Sequence, residues 1–216
     1  KYCDAGPLCK HGGHSQISGV EIDGGIWDAA CDGSDYVGVM YLCHGNNITV
    51  RNATFKRAGD HALNLSGSAD VLVSNCTFAE TVGYDGRDPA YWGEYDIGDT
   101  NRYNTIESIH LDITDESGEM GNYPMDSTVC EDITVENCVF ENVFAGVGNH
   151  HADVNHLAHS ITVRNNRFRK LQSYATYLYG FKDVVLSGNR INDCAGLFRS
   201  SFADLVASDN VIVDAT

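Results

Sequence analysis

The chain has 216 residues, a net charge of −16 and 43% hydrophobic residues. That length suits one domain with room for a core, and the acidic balance argues against nucleic acid and anionic membranes as partners. No run is long and apolar enough to span a membrane, while 22 Gly, 3 Pro and abundant Asn and Asp suit a turn-rich all-β protein.

An eight-residue pattern organises the chain. Its first copy starts at Val20 (VEIDGGIW), and further copies start at Ile48, Val71, Ile133, Ile161, Val184 and Leu205. The fifth position reads Gly24, Asn52, Asn75, Asn137, Asn165, Gly188 and Asp209; the eighth reads Trp27, Phe55, Phe78, Phe140, Phe168, Ile191 and Ile212. The copies lie 28, 23, 62, 28, 23 and 21 residues apart. A period in the low twenties with alternating apolar residues, and without a helical stripe, fits a coil of short strands. The expected fold is all-β: a right-handed parallel β-helix of about seven rungs, one repeat per rung, stacked about 4.8 Å apart. The fifth-position Asn is expected to form a hydrogen-bonded ladder at a turn. The eighth position is expected to stack inward.

Residues 1–216 read as a single β-helix domain. The Cys- and Gly-rich start carries no signal-peptide pattern, and the chain is expected to be part of a longer β-helix, in contact with flanking rungs or domains. Of the eight cysteines, Cys76 and Cys138 share the sixth position of their copies and are expected to stack, as buried thiols or as a bridge. Cys3–Cys9 or Cys31–Cys43 close short loops if the protein is secreted. No CxxC pair is present, which argues against a zinc site.

After each pattern copy comes another apolar-alternating segment: 61–66, 108–112, 145–150, 175–179 and 196–200. Leu63, Leu65, Ile109, Leu111, Ala145, Val147, Leu178 and Leu197 are expected to point inward. The opposite face then carries rows in register between rungs: Asn64 and Ser66, His110 and Asp112, Gly148 and His150, Tyr177 and Tyr179, with Arg199 near the far end. Between Phe78 and Ile133 the chain makes two long excursions, at about 79–106 and 113–130, and long loops on a regular scaffold are usually functional. The first is dense in acids and aromatics, Trp92 among them. Aromatic rings with interleaved carboxylates suit a carbohydrate substrate.

Asp112 is the leading catalytic candidate, because His110 flanks it and His150 of the following rung is expected nearby. A glycosidase needs a second carboxyl about 5–10 Å away. Asp126 is favoured for that role, with Asp115, Glu116, Glu119 and Glu107 as alternatives. His110, His150, Tyr177, Tyr179, Trp92, Asn64 and Arg199 are expected to bind substrate. His159 is expected to cap the turn before Ile161. No metal or other cofactor is expected, although calcium remains compatible with an acidic surface.

The repeat pattern resembles the pectin-lyase-like superfamily of parallel β-helices. GVEIDGGIWD (19–28) is similar to a rung common near the start of its glycan-active members. Residues 107–112, 123–140, 145–151 and 159–168 resemble a block in bacterial surface β-helix proteins that include the lacto-N-biosidases of glycoside hydrolase family 136. The resemblance implies hydrolysis of glycosidic bonds and a pair of aspartates between Asp112 and Asp126. Polygalacturonases carry an Asp-Asp pair and a Gly-His-Gly segment, and here only Gly59-Asp60-His61 comes near. The sequence therefore points to a bacterial extracellular or cell-surface glycoside hydrolase. A polysaccharide lyase using Arg199 and a non-catalytic surface module are the alternatives.

Overall fold

The computed structural model of the chain describes residues 13–14, 17–31, 37–81, 107–113, 128–149, 156–201 and 204–214. All regular structure among them is strand, arranged as three parallel sheets of seven, seven and six strands. Each rung contributes one strand to each sheet in turn. The result is a parallel β-helix, and among the described residues no helix is long and apolar enough to cross a membrane.

The repeat pattern sets the register. Val20, Ile48, Val71, Ile133, Ile161, Val184 and Leu205 are paired in a line across the first sheet. Trp27, Phe55, Phe78, Phe140, Phe168, Ile191 and Ile212 are paired across the second. The phenylalanines form an inward ring stack with centroids 5.1, 4.9 and 4.7 Å apart. All four are fully buried, which combines the area gain of a large side chain with favourable ring contact. Trp27 and Ile212, in the first and last rungs, are 39% and 49% exposed.

The fifth position differs from its expected role. Every one of its seven residues has a left-handed backbone, with φ between 53° and 82°. That conformation turns the chain from the first sheet into the second. Glycine adopts it freely, and Asn and Asp tolerate it best among the other residues. The residue before the pattern is also left-handed in six copies: Gly19, Asn47, Asp70, Asp132, Ser160 and Asp183. The tenth position repeats the device at Arg57, Glu80, Asn142, Lys170, Asp193 and Asp214. Each rung therefore bends at fixed points that polar residues mark.

The side-chain ladder lies one residue further on, at the sixth position. Asn166 Nδ2 donates to Asn189 Oδ1 at 3.1 Å, and Asn189 Nδ2 donates to Asn210 Oδ1 at 3.0 Å. The same amides donate to the carbonyls of Val135 and Val163. Two rungs earlier the position holds Cys76 and Cys138, whose buried thiols stack without a disulfide: Cys76 N–H donates to Cys138 Sγ at 3.4 Å. A side chain that points inward at a bend must satisfy backbone groups there, and Asn does this where the sulfur atoms do so more weakly. Cys31 and Cys43 are buried. Cys3 and Cys9 lie outside the described residues, as does most of the two excursions.

Candidate functional site

The third sheet carries the candidate site. Its strands Met40–Tyr41, Leu63–Asn64, Glu107–His110, Ala145–Gly148, Tyr174–Tyr179 and Gly196–Ser201 lie side by side. One row across them reads Tyr41, Asn64, His110, Gly148, Tyr177 and Arg199. This matches the register expected from sequence and adds Tyr41. On the other side of the strands, Leu63, Leu65, Ile109, Leu111 and Val147 join the core. The pairing brings Thr176, not Leu178, beside Val147, although Leu178 is also in the core.

The row is less open than the sequence suggested. Asn64 and His110 are 4% exposed and Asp112 and Tyr177 are 1% exposed. Tyr41, Tyr179 and Arg199 are half-buried. Asp126, His150 and Trp92 lie outside the described residues. The structure brings Asp112 and His110 together: Asp112 Oδ2 is 3.0 Å from His110 Nε2. Asn64 turns to its own rung, where its Oδ1 accepts from the hydroxyl and the N–H of Ser66. Tyr177 and Tyr179 meet edge to face and hydroxyl to hydroxyl, and the Arg199 guanidinium lies 5.3 Å from the Tyr177 ring centre, a cation–π distance. His159 Nε2 reaches Glu131 Oε2 at 3.1 Å on the first sheet, and its Nδ1 lies 3.3 Å from the hydroxyl of Ser160, the left-handed residue before Ile161.

Three further residues complete a buried cluster around His110. The His61 ring stacks on that of His110, with centroids 3.6 Å apart and planes 13° from parallel. His61 Nδ1 faces the Glu107 backbone oxygen at 3.1 Å and Glu107 Oε2 at 3.6 Å. Its Nε2 is 3.4 Å from Asp60 Oδ1, and Asp60 Oδ2 accepts from the Tyr41 hydroxyl at 2.8 Å. Glu107 is fully buried, and among the described residues neither of its carboxylate oxygens has a hydrogen-bond partner. Gly148 makes this convergence possible. A Cβ there would fall 2.3 Å from the Tyr177 carbonyl oxygen and 2.9 Å from Glu107 Cγ, so any other residue would displace the acid or the neighbouring strand.

The electrostatics follow from burial and crowding. Burial, with the negative charges of Asp112 and Asp60 added, pushes the Glu107 carboxyl well above its usual range. Burial also depresses His61 to about 4, against the pull of Asp60, so its imidazole is neutral at pH 7. For Asp60, burial acts upward, but His61, the Tyr41 hydroxyl and His110 outweigh it and hold the carboxyl below its ordinary range. A carboxyl pushed above its ordinary range thus sits near one held below it, an arrangement suited to acid–base chemistry or to cation binding.

The sequence singled out His110, Asp112 and Asn64. It named Glu107 only as one of several second carboxyls, and Asp60-His61 only as an imperfect polygalacturonase match. The available signal was positional: Leu63 pairs with Ile109, which places the residues two earlier, His61 and Glu107, on neighbouring rungs.

No protein-family model matches the chain. Over 166 residues, 72% of its length, it is 25% identical to Plasmin and fibronectin-binding protein A of Streptococcus pneumoniae (strain ATCC BAA-255 / R6). The chain spans about a fifth of that relative's length, 21%. Among solved structures it resembles PfbA, a surface adhesin of Streptococcus pneumoniae, with a TM-score of 0.69 at 18% identity over 91% of this chain and 51% of the adhesin chain. A second structure of that adhesin gives a TM-score of 0.58 at 23% identity, covering 70% and 35% of the two chains. The likeness to these structures is one of fold.

Proposed function

We propose that the chain is a section of a bacterial cell-surface β-helix protein that acts by binding host extracellular proteins, and not by catalysis. The observation that carries this reading is the 25% identity, spread over 72% of the chain, with a protein named for plasmin and fibronectin binding. Burial supports it. A glycosidase must bring its carboxyls to a glycosidic oxygen, and Glu107, Asp112 and Asp60 are at most 4% exposed. A β-helix also offers long, flat, polar walls, the kind of surface on which solenoids bind other proteins. The test is binding of the protein to immobilised fibronectin and plasmin, measured by interferometry. Saturable binding to either supports the reading. Absence of binding to both, together with turnover of a glycan, overturns it.

A second reading is favoured by one specific observation: Glu107, its carboxyl pushed above the ordinary range, lies near Asp60, held below it, and near the Asp112–His110 pair. In this reading the protein is a glycoside hydrolase, in the manner of the family 136 lacto-N-biosidases. Asp112 and Asp126 serve as the carboxyl pair, and His110, His150, Tyr177, Tyr179, Trp92, Asn64 and Arg199 hold a carbohydrate. Glu107 is then a further proton donor. Asp112→Asn would lower hydrolysis of neutral oligosaccharides by several orders of magnitude. Equal activity in the variant and the parent would sink the assignment of Asp112.

A further inference from the structure

We infer that His61, Glu107 and His110 form a site for one divalent transition cation of the zinc class, with Asp60 and Asp112 orienting the two histidines. This departs from the sequence expectation of no metal and stands apart from either functional reading.

Four features lead to it. One ligand atom from each of His61, Glu107 and His110 lies within 4.8 Å of the other two, and all three residues are buried. Two imidazoles and a carboxylate are a donor set that zinc takes in catalytic centres, where a fourth position stays open. Each histidine has a carboxylate on its Nε2: Asp60 at 3.4 Å from His61 and Asp112 at 3.0 Å from His110. Metal-binding histidines characteristically donate their second nitrogen to such a group, which fixes the tautomer and the ring direction. His61 Nδ1 faces the Glu107 carboxylate at 3.6 Å and the Glu107 backbone oxygen at 3.1 Å, and a cation on this nitrogen would replace that hydrogen bond. Finally, Glu107 is fully buried, with both carboxylate oxygens lacking a hydrogen-bond partner among the described residues. A polar group in that state costs several kilocalories per mole unless something pairs with it, and it is aimed at the two imidazoles.

The geometry states what binding must change. Zinc sits about 2.0–2.1 Å from nitrogen and oxygen ligands, so the donors must draw closer together than their present spread of up to 4.8 Å. Two rings stacked 3.6 Å apart cannot both hold an ion in their planes, so His61 and His110 must swing out of the stack.

The experiment is metal analysis of the full chain, followed by titration of the chelator-treated protein with Zn2+ and Co2+. Expected are one equivalent per chain, the intense visible absorption of four-coordinate Co2+, and a raised melting temperature with Zn2+. Glu107→Gln should weaken binding at least 100-fold. Asp112→Asn, which leaves the three ligands in place, should weaken it about 10- to 100-fold. His159→Ala, which alters a histidine on the first sheet, should bind like the parent. The proposal is overturned if no equivalent binds, if Co2+ stays octahedral, if Glu107→Gln binds as tightly as the parent, or if binding disappears in His159→Ala. Should Glu107→Gln fail to fold, the Co2+ spectrum of the parent and the behaviour of Asp112→Asn decide the question.

Discussion

The first and second sheets and the third sheet are built on the same rungs but do different work. In the first two, a position repeats one kind of residue over successive rungs: aliphatic at the first, left-handed Asn, Asp or Gly at the fifth, ladder-forming Asn at the sixth of the rungs with Asn166, Asn189 and Asn210, and Phe at the eighth of four rungs. In the third, the row Tyr41, Asn64, His110, Gly148, Tyr177 and Arg199 repeats nothing. Stacked identical residues give the most favourable contact between neighbouring rungs. A row that gives this up, and buries carboxylates in exchange, is where function is best sought.

That contrast can be broken by mutation. The largest effect is expected from Phe140→Ala, which removes the middle of the phenylalanine stack; loss of a buried ring and the cavity left behind cost about 3–5 kcal/mol. A fall in the urea midpoint of this size checks it, and a shift below about 1 kcal/mol would mean that the stack is not what joins the rungs. Gly148→Ala tests the third sheet. Its Cβ would overlap Glu107 and a Tyr177 backbone oxygen, so the expected loss is about 1–3 kcal/mol. Because only this variant pushes on Glu107, the heat of Zn2+ binding should change here and not in Phe140→Ala.

The bend residues should give a smaller, conformation-specific effect. Asn137 has φ 55°, so Asn137→Val should cost about 1–2 kcal/mol while Asn137→Gly stays close to the parent. Equal losses in both would assign the role to the Asn side chain and not to its backbone. The smallest effect belongs to the outer charge pairs. Arg164 meets Glu136 at 2.6 Å, with the Arg164 side chain 49% exposed, and Arg164→Ala should change stability by less than about 1 kcal/mol, with the difference shrinking in high salt.

Much of this was legible in the sequence because a β-helix writes its register into its spacing. The seven copies align in the structure residue for residue, including across the 62-residue interval between Val71 and Ile133. The fifth-position Asn and Asp were visible too, but their cause was not. A side-chain ladder and a left-handed backbone select similar residues, and only dihedral angles separate them. The ladder itself, Asn166–Asn189–Asn210, escaped notice because Ala53, Cys76 and Cys138 interrupt the column in earlier rungs.

By itself the sequence determined the fold class, the rung register and the row that carries His110, because these depend on residue periods of two and about twenty-three. Tertiary structure alone decided the composition of the cluster. Asp60 and His61 sit at a bend before a two-residue strand, and Glu107 follows a long excursion, so no period relates them. Their convergence depends on rung stacking and on the missing side chain at Gly148, and burial then shifts the acids that converge, none of which a linear pattern records.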